Sequence, residues 1–199
     1  MSSNNSAIPG KKYQLLIETA RNLFMRYGIK RVTVEEICET AGVSKMTFYK
    51  HFNNKIDLAL FILNRIFDEG VHRYKKIMNR DVPFAEKAGE IIQMKLELSE
   101  DISREMAKDI LDSQIPEVAE LMRKIIEDNF NLFLNDMISA QKKGEIRSDL
   151  NPHFIMYMLG QMQVMAADER VLSMYKSTQA LTSEMVNFFF YGILSGREK

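Results

Sequence analysis

Residues 33–55, which read TVEEICETAGVSKMTFYKHFNNK, decide how this part of the chain folds. Thr33, with Glu36 three residues later, forms a capping box that predicts the start of a short helix. Gly42 is suited to end that helix, and Ser44 is suited to cap the next one, which we expect to be very short. Two short capped helices joined by a glycine turn are typical of a helix-turn-helix.

Apolar and polar residues separate onto two sides of the second helix. Phe48 and Phe52 lie four residues apart, so both are expected to anchor this helix against the first one. The side chains left exposed supply ammonium groups, hydroxyls and a phenol ring, which contact phosphates and base edges in protein–DNA complexes. The helix N-terminus at Ser44 also favours a nearby phosphate. A plain helical hairpin with surface lysines is the alternative.

Charged residues are divided unevenly along the chain. Residues 1–55 hold nine Lys and Arg against four Glu, a net charge of +5, and the rest of the chain carries −5. A basic segment joined to an acidic body is expected of a polyanion-binding module attached to a ligand-binding or protein-binding body. A chance distribution of charge is the alternative.

The composition is that of an ordinary globular protein: 46% of the 199 residues are hydrophobic and 27% are charged. It excludes a disordered or collagen-like chain. The single cysteine, Cys38, excludes an internal disulfide framework and suits a reducing compartment. Residues 1–10 are polar, and we expect a loose arm there rather than a signal segment. Polar residues interrupt the most apolar stretches, so we expect a cytoplasmic protein with no membrane partner.

Helical periodicity continues through the rest of the chain, and no alternating pattern predicts a strand. The acidic side chains between Glu97 and Asp112, Asp109 among them, are expected to form a solvated face. We expect an all-α fold with two domains: a three-helix helix-turn-helix domain over residues 1–55 and a helical ligand-binding and dimerisation bundle over residues 56–199. About nine helices are predicted, over residues 13–27, 33–41, 44–51, 54 to a break at 79–83, 84–99, 103–112, 116–142, 152–167 and 179–195.

Two segments, IKRVTVEEI (residues 29–37) and AGVSKMTFYKHF (residues 41–52), resemble the DNA-binding signature of TetR-family transcriptional regulators. The similarity covers about residues 11–60. Met46 departs from the family pattern, which often has a small residue or proline at this position. The resemblance implies that phosphates are contacted by Thr33, Tyr49, His51 and Lys55. It places at or near the major groove Lys45, Met46, Thr47 and Lys50, and Ser44 completes the predicted DNA-binding set.

The last two predicted helices carry apolar stripes that point to a homodimer. Residues 188–191 are apolar on more than one side of the helix, which indicates burial within the subunit or by a partner. A two-fold dimer would also present two short reading helices to successive turns of a palindromic operator. The resemblance implies that these two helices form a four-helix dimer interface. The predicted interface residues are Phe154, Met165, Leu181, Met185, Phe188, Phe189 and Gly192.

The body is rich in methionine, a residue that adapts to irregular binding surfaces. The resemblance implies a ligand cavity among its middle helices, although ordinary core packing is the alternative for each residue. The lining predicts a largely apolar or amphipathic effector held by one or two hydrogen bonds, from Tyr157, Gln93 or Gln161. The predicted ligand-binding residues are Met94, Phe130, Phe133, Leu134, Met137, Tyr157, Met158, Gln161 and Met162.

The function expected from these patterns is that of a ligand-responsive transcriptional repressor. Repression is named because it is the commoner role in the resembling family. No Gly-rich phosphate loop or metal-ligand spacing occurs, so neither an enzyme nor a cofactor nor a metal site is expected. Two alternatives stay open: a DNA-binding regulator controlled by a protein partner without a small ligand, and a helical small-molecule binding protein with incidental DNA affinity.

Overall fold

The computed structural model describes residues 10–111 and 114–194, and the predicted loose arm lies outside this part of the chain except for Gly10. The all-α prediction is confirmed, since the described residues form ten helices and no strand beyond an isolated bridge between Ile146 and Leu194. The helices are α1 (Lys11–Tyr27), α2 (Val34–Ala41), α3 (Lys45–Tyr49), α4 (Lys55–Met78), α5 (Phe84–Ser99), α6 (Arg104–Leu111), α7 (Pro116–Lys142), α8 (Pro152–Ala167), α9 (Glu169–Ser173) and α10 (Thr178–Ile193).

Nine of these helices correspond to the nine predicted, and α9 is the addition. It has only five residues, which is too short for a helical apolar period to show in the sequence. Its cap is Asp168, whose Oδ1 accepts the backbone N–H of Arg170 at 2.8 Å. The same carboxylate pairs with the Arg170 guanidinium, and this hydrogen bonding lowers the pKa of Asp168 to about 2.

The predicted N-caps of α2, α3 and α4 are confirmed. Thr33 Oγ1 accepts the Glu36 N–H at 3.1 Å, and Ser44 Oγ accepts the Thr47 N–H at the same distance. Asn54 Oδ1 accepts a backbone N–H in the first turn of α4 at 2.9 Å. Each bond satisfies a donor that the helix itself leaves free, so the starts of these helices are set by neighbouring residues.

A first hydrophobic core holds α1, α2, α3 and the beginning of α4 together, and we call these helices the head. Phe24 and Phe48 are fully buried at its centre, and Cys38 is buried beside them. Burial raises the pKa of the Cys38 thiol, as expected of a packed thiol in a hydrophobic core. Met106 of α6 and Val118 of α7 also belong to this core, so the head is packed against the rest of the chain.

A second hydrophobic core joins the end of α4 to α5, α7, α8 and α10, and we call α5–α10 the body. Phe84 of α5 packs against Phe190 of α10, with ring centroids 6.4 Å apart. The helix α4 contributes Leu58 and Leu63 to the first core and Tyr74 to the second. The predicted domain boundary after residue 55 therefore falls at the start of a single helix that is embedded in both cores.

Candidate nucleic-acid interface

The helix α3 exposes the polar and cationic side chains of the head. Phe48 and Phe52 are both buried, which confirms that they anchor this segment to the head core. The side chain of Met46 is 83% exposed, and that of Tyr49 is 55% exposed. The remaining predicted DNA-binding residues are also exposed, apart from partly buried Thr47 and Lys55, and they are Thr33, Ser44, Lys45, Lys50 and His51.

Two hydroxyls on this surface have a structural role as well. The oxygens of Thr33 and Ser44 accept the capping hydrogen bonds of α2 and α3, and Ser44 Oγ also lies 2.9 Å from Thr47 Oγ1. Their oxygens face the first turns of the two helices, where free backbone N–H groups also lie. The surface around α3 thus combines hydroxyls and free amides with ammonium groups, all of which suit a phosphate backbone.

Lys45 is paired with Glu35 of α2 across the turn between the two helices. The hydrogen bond with Glu35 raises the pKa of Lys45, and the same contact lowers the pKa of the Glu35 carboxyl. Both side chains are largely exposed, so water and salt weaken the pair. A phosphate could therefore take the place of Glu35 without opening any part of the core.

His51 packs against α1, a contact that was not predicted from the sequence. Its ring centroid lies 4.7 Å from that of Tyr13, and the Tyr13 ring in turn stacks on Phe52 at 6.1 Å. No pattern in the sequence links His51 to the first helix, because Tyr13 lies 38 residues earlier in the chain. The contact fixes the imidazole at the edge of the exposed surface around α3.

The Lys55 side chain is bound to the loop between α1 and α2. Its Nζ donates to the carbonyl oxygens of Lys30 at 2.7 Å and Val32 at 2.8 Å. Desolvation lowers the pKa of the Lys55 amine, while the charge of Asp109 opposes that shift. An ammonium in the first turn of a helix is unfavourable next to the helix dipole, and these two carbonyls account for its position. One N–H of Lys55 is left for the phosphate contact that the family resemblance implies.

The loop of residues 28–33, which connects α1 to α2, is held from the body by Asp109 of α6. Its Oδ2 accepts the backbone N–H of Lys30 at 3.0 Å, and its Oδ1 lies 3.7 Å from Lys30 Nζ. Nearby, the N–H of Ser103 donates to the carbonyl of Met25 at 2.9 Å. The expectation that Asp109 belongs to a solvated face is wrong, because this side of α6 packs on α1 and Asp109 is buried.

Gly28 allows this close approach of α6. Its φ of +79° is a conformation that side chains disfavour, and an added Cβ would lie only 2.7 Å from Asp109 Oδ2. The glycine at this position therefore serves two purposes, ending α1 and making room for the carboxylate that holds the loop. A glycine after a helical stretch is typical of a helix end, but nothing near it in the sequence shows the contact with α6, which is about 80 residues away along the chain.

The predicted ligand-binding residues fall into three groups in the structure. Met94 and Met137 are buried in the second core, where they pack against other side chains, and Leu134 of α7 is buried as well. Tyr157 is 60% exposed and lies with Phe154 on the outward face of α8. The others are partly buried, and they are Phe130, Phe133, Met158, Gln161 and Met162.

The outward faces of α8 and α10 carry a large exposed apolar surface. Of the predicted interface residues, Phe154, Met165 and Phe188 are exposed, Phe188 to 77%. Gly192 is also exposed, and Met185 is partly buried. The prediction that Leu181 and Phe189 are exposed to a partner is corrected by the structure. Both are buried within this chain, because their side of α10 faces the subunit's own helices. The prediction missed three exposed apolar residues on these faces, which are Tyr157, Val164 and Tyr191.

Two further features are absent from residues 10–111 and 114–194. No group of three or more His, Cys, Asp or Glu side chains is arranged to hold a metal ion there. Within the same ranges, no helix combines the length and apolar character needed to cross a membrane.

Comparison with known proteins shows a similarity that is confined largely to the head. Residues 16–61 match the family model described as bacterial regulatory proteins, tetR family. This part of the chain is similar to that family. The match spans α2, α3 and the start of α4, which are the helices that build the exposed surface described above.

The curated relatives are similar to this chain mainly in the head. The regulator TtgR of Pseudomonas putida is 37% identical over 57 residues, which make up 29% of this chain and 27% of that protein. YuxN of Bacillus subtilis, an uncharacterised regulator, is 28% identical over 140 residues and is matched over 48% of its length. The chain therefore spans about half or less of the curated relatives that it matches first.

The similarity of fold to solved structures extends over most of the chain. The fatty acid degradation regulator FadR of Bacillus halodurans superposes with a TM-score of 0.71 at 20% identity, over 94% of this chain and 98% of that one. FadR of Bacillus subtilis, solved in complex with stearoyl-CoA, gives a TM-score of 0.70 at 19% identity, over 91% and 99%. At such identities the likeness is one of fold.

Proposed function

We propose that the chain is a homodimeric transcriptional regulator that binds a palindromic operator and is released from it by a small effector. The observation that carries this proposal is the surface around α3. Lys45, Tyr49 and Lys50 are exposed there on a segment that two buried phenylalanines fix in place, within a region matching the TetR family model. Residues 1–55 form the DNA-binding domain, and residues 56–199 form the effector-binding and dimerisation domain.

The contacts with DNA divide into positioning and reading. Thr33, Tyr49 and His51 lie at the margins of the surface, where hydroxyl and imidazole groups bind phosphates and fix the register. Lys45, Thr47 and Lys50 are on or next to α3 and reach base edges in the major groove, with Met46 beside them. Lys55 acts mainly through the loop that its amine holds, and its remaining N–H is available to a phosphate.

The dimer forms through α8 and α10. Phe154, Met165 and Phe188 are exposed on a single chain, and burying such large apolar side chains favours association. The helix α3 has only five residues and contacts too few base pairs to specify a site by itself. Two copies of the helix, one from each subunit, must therefore act together. A second copy of this chain, related by a two-fold axis, supplies the other reading helix and covers the apolar surface with its own α8 and α10.

The effector acts by shifting the population between two dimer geometries. A ligand that binds the body more tightly in one geometry favours that geometry, and DNA affinity falls when the two reading helices no longer match successive major grooves. The shift reaches the head along two connections. One is α4, which is embedded in both cores, and the other is Asp109 of α6, which holds the loop leading into α2.

Selection of duplexes from a random DNA pool tests the proposed function. The purified protein at near-physiological salt should enrich a palindromic consensus. Lys50→Ala should change the consensus or abolish enrichment, whereas Lys142→Ala on the exposed side of α7 should leave it unchanged. Since a co-purified effector could hold the protein in its released state, the selection is repeated after the protein has been denatured and refolded.

The outcomes separate the proposal from its two alternatives. Non-specific, salt-sensitive DNA binding in both selections would contradict the proposal and favour a helical small-molecule carrier. A recovered palindrome combined with no thermal shift from any member of a small-molecule library would favour control by a protein partner. A palindrome whose complex is dissociated by a small molecule would support the proposal in full.

A further inference from the structure

Lys95 lies on the side of α5 that faces the protein interior. It follows Ile91 by four residues and Ala88 by seven, and both of those side chains are buried in the second core. Residues at these spacings share one face of a helix. The Lys95 side chain is nevertheless exposed. The outer face of α5 is elsewhere, where Glu97 forms an exposed ion pair with Arg73 of α4.

Like Lys95, side chains from three other helices next to the second core are in part open to solvent. Phe133 of α7, Met162 of α8 and Val186 of α10 all pack against the second core, and all three are only partly buried. A close-packed core would seal such residues from solvent. Their partial exposure, together with that of Lys95, is the basis for placing an opening between the inward faces of these four helices. Lys95 contributes the only ammonium group among these four side chains.

The Lys95 amine has no partner within residues 10–111 and 114–194, where no hydrogen bond or ion pair involves it. Desolvation by the surrounding protein lowers the pKa of this amine. Lys87, two turns earlier on α5, shows how an ordinary inward lysine is accommodated, since its Nζ donates to the carbonyl of Met78 at 2.9 Å. An ammonium that is partly desolvated and has no protein partner, but that solvent can still reach, is free to bind an anion.

We propose that Lys95 is the anion-binding residue of the effector site, and that the effector is an amphipathic molecule with an apolar body and one anionic group. The inference rests on the proposed function, because it names the ligand class of the same body. The anionic group is a carboxylate, sulfonate or phosphate bound by the ammonium, and the apolar part lies along the partly buried side chains of α7, α8 and α10. This replaces the hydrogen bond expected from Tyr157, whose side chain points outward.

A pair of dyes with one ring system tests this site without knowledge of the natural effector. 8-Anilinonaphthalene-1-sulfonate carries the anionic group, and N-phenyl-1-naphthylamine lacks it. Fluorescence titrations with both dyes would use the full-length wild-type protein and the variants Lys95→Met, Lys95→Arg and Lys142→Met. Lys142 is the matched control, an exposed lysine on α7. Thermal unfolding followed by circular dichroism establishes that each variant is folded.

The site predicts a loss that is specific to the anion. Lys95→Met should bind the sulfonate dye about tenfold to a hundredfold more weakly than wild type, as expected when a charge-assisted contact is removed. Its affinity for the neutral dye should stay within about threefold, and both Lys95→Arg and Lys142→Met should retain the affinity for the sulfonate dye within the same range.

Three results would overturn the anion site. They are an unchanged affinity of Lys95→Met for the sulfonate dye, an equal loss for both dyes, and a wild-type protein that binds neither dye. The DNA selection tests the proposed function, and its result is independent of the dye titrations, which test the anion site. If the dyes report Lys95-dependent binding but no DNA sequence is enriched, the proposed function fails and the anion site stands. If an operator is recovered but the dye test fails, the anion site alone is refuted.

Discussion

The contact between Asp109 and the loop of residues 28–33 offers a sharp test of how the body holds the head. In Asp109→Ala the backbone N–H of Lys30, which donates to the carboxylate at 3.0 Å, loses its acceptor. Leaving a partly buried donor unpaired costs about 1–3 kcal/mol. The ion pair with Lys30 Nζ adds at most about 1 kcal/mol, because that side chain is 44% exposed. The free energy of unfolding should therefore fall by about 1–4 kcal/mol.

Urea unfolding of four proteins measures this change. Asp109→Asn keeps an oxygen that can accept the Lys30 N–H but loses the charge, so it should lower the free energy of unfolding by only about 1 kcal/mol. Asp101→Ala removes an exposed carboxylate just before α6 and should change it by less than about 0.5 kcal/mol. If Asp109→Ala is as stable as the Asp101→Ala control, the contact does not hold the loop and the reasoning is refuted.

Three further changes test other parts of the structure. Gly28→Ala should lower the free energy of unfolding by about 2 kcal/mol or more, because the positive φ and the Asp109 carboxylate both oppose a Cβ. Gly42→Ala also has a positive φ but meets open space, so in the same urea assay it should cost only about 1 kcal/mol. Phe188→Glu places a charge on the exposed apolar face of α10. Sedimentation should then show a dimer for the wild-type protein and a monomer for the variant. A dimeric variant would exclude this face as the interface. Lys50→Ala should reduce the slope of log affinity for DNA against log salt by about 1. Lys55→Ala should weaken binding across sequences and lower the same slope by up to about 1, since its remaining N–H contacts a phosphate; an unchanged slope in Lys55→Ala would contradict that contact.

The features that could be predicted from the sequence are those set by neighbouring residues. Thr33 caps α2 through a residue three positions away, and Ser44 does the same for α3, so the capping pattern contained the necessary information. Phe48 could be assigned to the head core because its spacing from Phe52 defines one side of a very short helix. The surface around α3 follows from these two facts, since the residues not used for packing must lie outside.

The features that could not be predicted depend on how distant helices pack. Asp109 was assigned to a solvated face because it lies in the acidic run between Glu97 and Asp112, and only the packing of α6 on α1 shows that it is buried. Phe189 lies on an apolar stripe, but a stripe does not reveal whether the subunit or a partner covers it. Lys95 carried no signal at all, because a single lysine within an apolar period looks like an ordinary surface residue until its neighbours are seen to be buried.

Paired reading of two half-sites by a dimer is the central claim, and comparing two duplexes tests it most directly. One carries the palindrome recovered by selection, and the other has one half-site scrambled. Each mismatched base pair costs about 1–3 kcal/mol, so scrambling several should weaken binding by about a hundredfold or more. The complex with the intact palindrome should contain two copies of the chain. Equal affinity for both duplexes would contradict the account.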